Sequence, residues 1–328
     1  MSHQDHAWRS NGDMGSPCRQ PRRPKGGSYA DTASAMKDIV SLKTILVAAS
    51  GGTASDGAVE IGCRLARHFE AHLEVLHIRI DPRQVFAGTA GEGFAMPRPG
   101  QTIDEFAVDI ATLAIKTKAA FEAATVRHGI PLAAAPPGNA GSASATWHEE
   151  VGYVPALVAR CARFFDFVVL GRSERVIWHP HSDTIEQTLN HCGRPVLLAP
   201  PKAPAVLGQT VAIAWNDSLQ SLRALVGALP LLATARTVMV ITVGNEHESG
   251  TRSLLEYLAW HGVVRTHRHV SSSAGGRRGD QLLAAARDAE ADLLVMGGYG
   301  HTPWREYLLG GATREIVGTS LIPVLLAH

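Results

Sequence analysis

The chain has 328 residues, 45% of them hydrophobic, with Lys and Arg at 31 against Asp and Glu at 30. That balance gives no global attraction to nucleic acid or to an anionic membrane, and no apolar run approaches the ~18 residues of a membrane span. Four scattered cysteines, Cys18, Cys63, Cys161 and Cys192, form no C-x-x-C pair, which argues against a disulfide framework or a zinc site and fits a reducing cytoplasm.

Residues 1–40 are rich in Pro, Gly, Ser and Arg and lack apolar periodicity. They predict a disordered leader, and Met36 offers an alternative natural start because "MKDIVSLKTILVAAS" leads directly into a strand. Past residue 40, short apolar runs alternate with helical spacing. A strand is expected at 44–50, a helix at 54–70 and a strand at 73–80. A Gly/Pro loop follows at 81–100, then a long helix near 102–128 and a second irregular stretch, "AAAPPGNAGSASATW" (133–147). A helix at 153–164, a strand at 167–171, a helix at 183–192 and a strand at 195–200 complete the first half. Apolar strands separated by helices predict parallel β covered on both faces.

The pattern then repeats after a Pro-rich linker at 201–209. "TVAIAWNDSLQSLRALVGAL" (210–229) plays the part of "TILVAASGGTASDGAVEIGC" (44–63): strand, small polar turn, helix. Strands at 237–243, 264–270, 292–297 and 323–328 alternate with helices at 250–261, 278–290 and 311–319. Both halves end on Pro-Val-Leu-Leu-Ala, at 195–199 and 323–327. The economical organisation is a tandem of two α/β domains, 41–200 and 210–328. Each final strand is a sheet edge, and bare edges invite pairing. The 195–199 and 323–327 strands are expected to pair within the chain, and a homodimer stays open.

Chemistry concentrates in "MGGYGHTPWREYLLGGATREI" (296–316). Strand ends and helix starts of a parallel sheet share one rim, where free N–H groups and the helix dipole attract anions. Gly297 and Gly300 open the loop, Gly310 and Gly311 stand where the next helix begins, and Thr313 adds a hydroxyl in its first turn. Glycine lets backbone approach a phosphate closely. There is no G-x-x-x-x-G-K-[ST], and "GYGHTPW" lacks the third glycine of G-x-G-x-x-G. On pattern alone the stretch is either a phosphate cradle or a plain turn. Two histidine pairs, His179/His181 and His267/His269, are weighed as metal ligands, with surface histidines the more economical reading.

The spacing G-x2-G-x9-G (Gly297, Gly300, Gly310), placed between strand four and helix four, resembles the ATP-binding loop of the universal stress protein family. "LLGGATREI" and "VAIAWNDS" (211–218) are similar to that family's loop ending and first strand. The resemblance covers about 42–200 and 208–328. It implies two doubly wound domains, each a five-stranded parallel sheet of order 3-2-1-4-5 with helices on both faces. It also implies an adenine nucleotide in the second domain, Mg travelling with ATP. Ala214, Asn216 and Val243 would face base and ribose. Met296, Gly297, Gly300, Gly310, Gly311, Ala312 and Thr313 would line the phosphate side. Asn216 replaces the usual Asp and Gly311 the usual Ser or Thr, which weakens binding; Asn216 still offers a donor and an acceptor. In the first half Glu174 and Thr184 stand at the second and third glycine positions and Ser50 at the Asp position, so no ATP is expected there. The implied function is a stress-associated sensor or regulator with little turnover and no catalytic residues, His301, Arg305 and Arg314 being open as charge partners. The alternatives are a slow ATP-using enzyme, with His181 and Asp183 to suspect (Asp183 otherwise a helix N-cap), and a nucleotide-free interaction scaffold.

Overall fold

The computed structural model describes residues 42–87, 97–133, 142–172, 181–243, 248–271, 277–298 and 311–328, all within one unit, Val40–His328. The expected leader, Gly300, Gly310, His179, His301, Arg305 and Glu174 lie outside them; of His181, Asp183, Gly311, Ala312 and Arg314 the backbone alone is described.

In chain order the elements are β1 (Thr44–Ala48), α1 (Thr53–Phe69), β2 (His72–Arg79), α2 (Pro82–Phe86), α3 (Ile103–His128), β3 (Ser144–Val151), α4 (Val154–Ala162), β4 (Phe167–Gly171), α5 (His181–His191) and β5 (Val196–Ala199). The second half continues with β6 (Thr210–Ala214), α6 (Leu219–Thr234), β7 (Thr237–Val243), α7 (Glu248–Trp260), β8 (Thr266–Ser271), α8 (Arg278–Asp288), β9 (Leu293–Gly297), α9 (Gly311–Thr319) and β10 (Val324–Ala327).

The strands form one ten-stranded sheet, β3-β2-β1-β4-β5-β10-β9-β6-β7-β8. Within each half every pairing is parallel, and first and fourth strands are neighbours. The halves join where β5 and β10 pair antiparallel, Leu197 opposite Leu325. That pairing covers the edge each half would otherwise expose.

Continuous apolar strands are buried on both faces, as parallel strands with crossover helices require. Ile45, Val47, Val169, Ile213 and Val295 face one layer, filled by Ile61 of α1, Phe121 of α3, Leu225 of α6 and Leu258 of α7. Leu46, Leu170, Ala212, Leu294 and Met296 face the other, filled by Val158 of α4, Leu189 of α5, Leu282 of α8 and Ile316 of α9.

The repeat reaches individual side chains. Asp166, just before β4, accepts from the N–H groups of Lys43 (2.9 Å) and Thr44 (3.0 Å). Asp292, just before β9, accepts from those of Gly208 (2.7 Å), Gln209 (2.9 Å) and Thr210 (3.2 Å). In both halves one carboxylate locks the start of the first strand against the start of the fourth.

Three sequence expectations need correction. The stretch read as irregular up to Trp147 enters an edge strand, β3, whose "SATWHEEV" is too polar to resemble the buried strands. The Gly/Pro loop contains a short helix, α2, started by Pro82 after an Asp81 cap. Helix α5 begins at His181, so Asp183 lies inside its first turn rather than capping it.

Candidate functional site

The crossovers of β6 and β9 leave the sheet toward opposite layers, α6 on one and α9 on the other. Adjacent parallel strands with opposed crossovers open a crevice at their carboxyl ends. Ala214 and Met296 face each other across that pair, 8% and 5% exposed. Both belong to the α8/α9 layer, as do half-buried Val243 and the neighbouring Ile241. Asn216, two residues past Ala214, is exposed at the rim. Gly297 ends β9, Gly311 and Ala312 start α9, and Thr313 follows in its first turn, 5% exposed. The fold thus collects Ala214, Asn216, Val243, Met296, Gly297 and the head of α9 at one end of the sheet.

The turn at Asn216 is tightly specified. Its Oδ1 accepts from the Ser218 hydroxyl (2.7 Å) and the Ser218 N–H (3.3 Å). Ser218 is also the N-cap of α6, accepting from the Ser221 N–H at 3.1 Å. Because a backbone N–H can only donate, the atom facing Ser218 is the amide oxygen, and the NH2 group projects outward. The expectation that the amide offers both donor and acceptor is therefore corrected: its acceptor is committed to the turn. Asp217 takes a left-handed conformation, φ 57°. Its carboxylate lies where a Cβ on Gly250 would sit, 2.4 Å from that position, placing negative charge at the first turn of α7, where the helix dipole favours it.

Gly297 has a packing reason of its own. A Cβ there would come within 2.6 Å of the Ser221 N and 2.8 Å of the Gln220 carbonyl carbon, in the first turn of α6. Gly171, its counterpart after β4, would place a Cβ 2.2 Å from the Ala54 carbonyl of α1. Close helix approach explains why this glycine persists in the half that has Thr184 at the third glycine position.

In the first half, side chains stand over the turn that follows β1. Leu113 and Thr117 of α3 lie over Gly51, the Leu113 Cδ1 being 2.6 Å from where a Cβ would stand. The Gly51 N–H donates to the Ser55 hydroxyl at 2.7 Å. Buried His77 donates from Nδ1–H to the Ala49 carbonyl (2.7 Å) and stacks on Trp147 at 5.5 Å. Arg172 follows Gly171 where Gly298 follows Gly297. Its guanidinium donates to the Val317 carbonyl (2.8 Å) and to the Ser320 carbonyl at the carboxyl end of α9.

Sequence reasoning missed Ser218, Asp217 and Arg172. The run Asn216-Asp217-Ser218 carried the signal for the first two, being turn and cap residues in sequence; nothing local pointed to Arg172. It also missed buried Trp215 Nε1, just past β6, and Thr242 Oγ1 of β7, which have no hydrogen-bond partner among the described residues. Among the described residues no group of three His, Cys, Asp or Glu side chains is spaced to hold a metal ion, and no helix is long and apolar enough to cross a membrane.

Comparison with known proteins adds a family. Residues 209–328 match the model of the universal stress protein family. No curated protein matches the chain. A universal stress protein of Archaeoglobus fulgidus DSM 4304 superimposes with a TM-score of 0.62 at 17% identity, over 87% of this chain and 97% of its own. A functionally unknown protein of Pseudomonas aeruginosa PAO1 gives 0.52 at 15% identity, over 90% and 94%. These likenesses concern the fold and extend over both halves. Residues 209–328, the part that brings Asn216, Gly297 and the head of α9 to one rim, are thus the part of the chain similar to the universal stress protein family.

Proposed function

We propose that this chain is a tandem universal stress protein of the cytoplasm that binds an adenine nucleotide in its second half and acts as a sensor or regulator, with little or no turnover. The observation that carries the reading is the juxtaposition of the Asn216 turn with Gly297 and the amino end of α9 across the β6/β9 switch point. Base and ribose would lie toward Ala214, Asn216 and Val243. The phosphates would lie toward Gly297, Gly300, Gly310 and the first-turn N–H groups of Gly311, Ala312 and Thr313. Mg would arrive with the nucleotide, and no residue is assigned to bond making or breaking.

Confinement of the nucleotide to the second half is supported by what fills the first. Leu113 and Thr117 cover the Gly51 turn, and Arg172 is turned away into α9. The domain division at 201–209 belongs to the same reading, with β5 and β10 as the internal seam.

Purified full-length chain, denatured and examined by chromatography, is expected to release adenine nucleotide, or to bind ATP in calorimetry if it was stripped during purification. No release, together with no binding of ATP, ADP or AMP at millimolar concentration, would favour the nucleotide-free scaffold. Multiple turnovers of labelled ATP would instead favour an enzyme.

A further inference from the structure

Helix α3 is apolar on two opposite faces. One line, Phe106, Ala114, Thr117, Phe121 and Ala124, is buried against the sheet. The other, Val108, Ala111, Ile115, Ala119 and Val126, recurs at intervals of three, four, four and seven and points to solvent, with exposed Glu122 standing in the gap of seven. Val108, Ile115 and Val126 are 64%, 71% and 80% exposed, and Ala111 and Ala119 are exposed too. A surface helix normally carries polar residues opposite its buried stripe, whereas one that is apolar all round is covered on both sides. The outer stripe is about 27 Å long at 1.5 Å per residue.

Charge along the helix selects the occupant. Asp104, Glu105 and Asp109 lie toward the amino end, and Lys116, Lys118, Arg127 and His128 toward the carboxyl end, with Glu122 the one acid among them. Two copies packed antiparallel set each acidic end against the other's basic end, with Lys116 and Lys118 meeting near the two-fold; a parallel pair would set like against like along its whole length. The stripe is also close to symmetric about its middle, Val108 answering Val126 and Ile115 answering Ala119, as a two-fold interface requires. The existing pairs Arg98–Asp109 and Arg127–Glu60 (2.8 and 3.2 Å) have exposed cations and can exchange partners at little cost. We propose that the outer face of α3 is a homodimer interface in which two copies pack this helix antiparallel. One helix pair buries roughly 1,000 Å², the low end for a specific interface, so the dimer is expected to exchange with monomer.

The proposal is independent of nucleotide, and its test contains none. Sedimentation velocity of the full chain over a concentration series is expected to show monomer–dimer exchange. Replacing Ile115 and Val126 together by Glu should weaken the dimer at least tenfold while the far-ultraviolet circular dichroism and Tm stay unchanged. Strictly monomeric behaviour up to the highest soluble concentration overturns the proposal, as does a dimer that this double variant leaves intact. For orientation, Cys18 and Cys161 are first replaced by Ser. Val108→Cys chains mixed with Val126→Cys chains should then form the mixed disulfide under mild oxidation. Disulfides joining like to like instead overturn the antiparallel arrangement.

Discussion

Replacing Arg172 by Met probes the contact between the two halves of the chain. The guanidinium, 8% exposed, donates to the Val317 carbonyl at 2.8 Å and to that of Ser320. Hydrogen bonds from a charged donor contribute about 1.5–3 kcal/mol each, and a buried carbonyl left unpaired costs about 1–3 kcal/mol. The cation also opposes the negative end of the helix dipole, worth up to ~2 kcal/mol when partly buried. Against these stands the desolvation of the guanidinium itself, which pulls its pKa below the usual arginine value and which Met would relieve by several kcal/mol, so that most of the gross gain cancels. A net loss of about 2–3 kcal/mol is expected, within the range of a broken buried network. At ~2–4 °C per kcal/mol for a chain of this size, Tm should fall by roughly 5–10 °C. Arg172→Lys, with a single donor group, should lose less. Calorimetry gives the global change, and native-state amide exchange over 311–320 localises it, since the Ser320 N–H to Ile316 carbonyl bond (2.9 Å) reports on the last turn of α9. A change below about 0.5 kcal/mol, the level of an indifferent surface substitution, with unaltered exchange in α9 would refute the assignment of energy to this contact.

Gly297→Ala should destabilise by at least about 1–3 kcal/mol, as overpacking does, because a Cβ would meet backbone atoms of Gln220 and Ser221; a Tm equal to wild type would show that α6 can retreat freely. Asn216→Asp keeps both acceptances from Ser218, so ATP affinity by calorimetry should be unchanged or tighter. A tenfold loss would place the phosphates at residue 216 and reverse the proposed orientation. For Glu60, burial alone would raise the pKa, but hydrogen bonds from His128, Arg127 and Arg64 hold it below the ordinary carboxylate value. A lowered folded value means stabilisation present above the unfolded pKa and lost as pH falls through the folded one, so Glu60→Gln should flatten the acid limb of stability between about pH 5 and 3. Burial pushes the Cys63 thiol up to about 12, and it should resist alkylation at pH 8 in native protein while reacting in denaturant.

What could be read from sequence was whatever is written in apolar runs. The ten-strand sheet is built largely from four- and five-residue segments such as "FVVLG" and "PVLLA", and the duplication shows in their recurrence. Strand β3 escaped because an edge strand needs only one buried flank, and "SATWHEEV" satisfies that with Ser144 and Ala145 fully buried and the rest half-covered or exposed. Gly297 was placed correctly, but its packing role was hidden: a glycine demanded by a neighbouring helix looks the same as one demanded by a ligand. The commitment of the Asn216 oxygen could not be seen from composition, since an Asx turn depends on the φ of the next residue, here the left-handed Asp217. Arg172 was invisible for a different reason. Its partners are 145 and 148 residues away and are backbone carbonyls, which leave no trace in side-chain identity.

The two halves keep the same scaffold and diverge at the rim. Asp166 and Asp292 hold the same lock, and Gly171 and Gly297 make the same close approach to a helix. At the next residue the second half has Gly298, whose N–H bonds the Ala327 carbonyl, and the first has Arg172, whose N–H makes the equivalent bond to Ala199. The backbone is therefore indifferent to the exchange, and the difference lies wholly in the guanidinium. It crosses the β5/β10 seam to grip the far end of the helix whose near end opens the proposed phosphate site. In the half where Leu113 and Thr117 stand over the Gly51 turn, the residue at that position supplies a cap for the carboxyl end of α9 in the other half. The residue after the shared glycine thus serves the helix of the opposite half rather than its own rim. On this argument Arg172→Met should weaken nucleotide binding in the second half, measured by calorimetry, without touching any residue that faces the nucleotide.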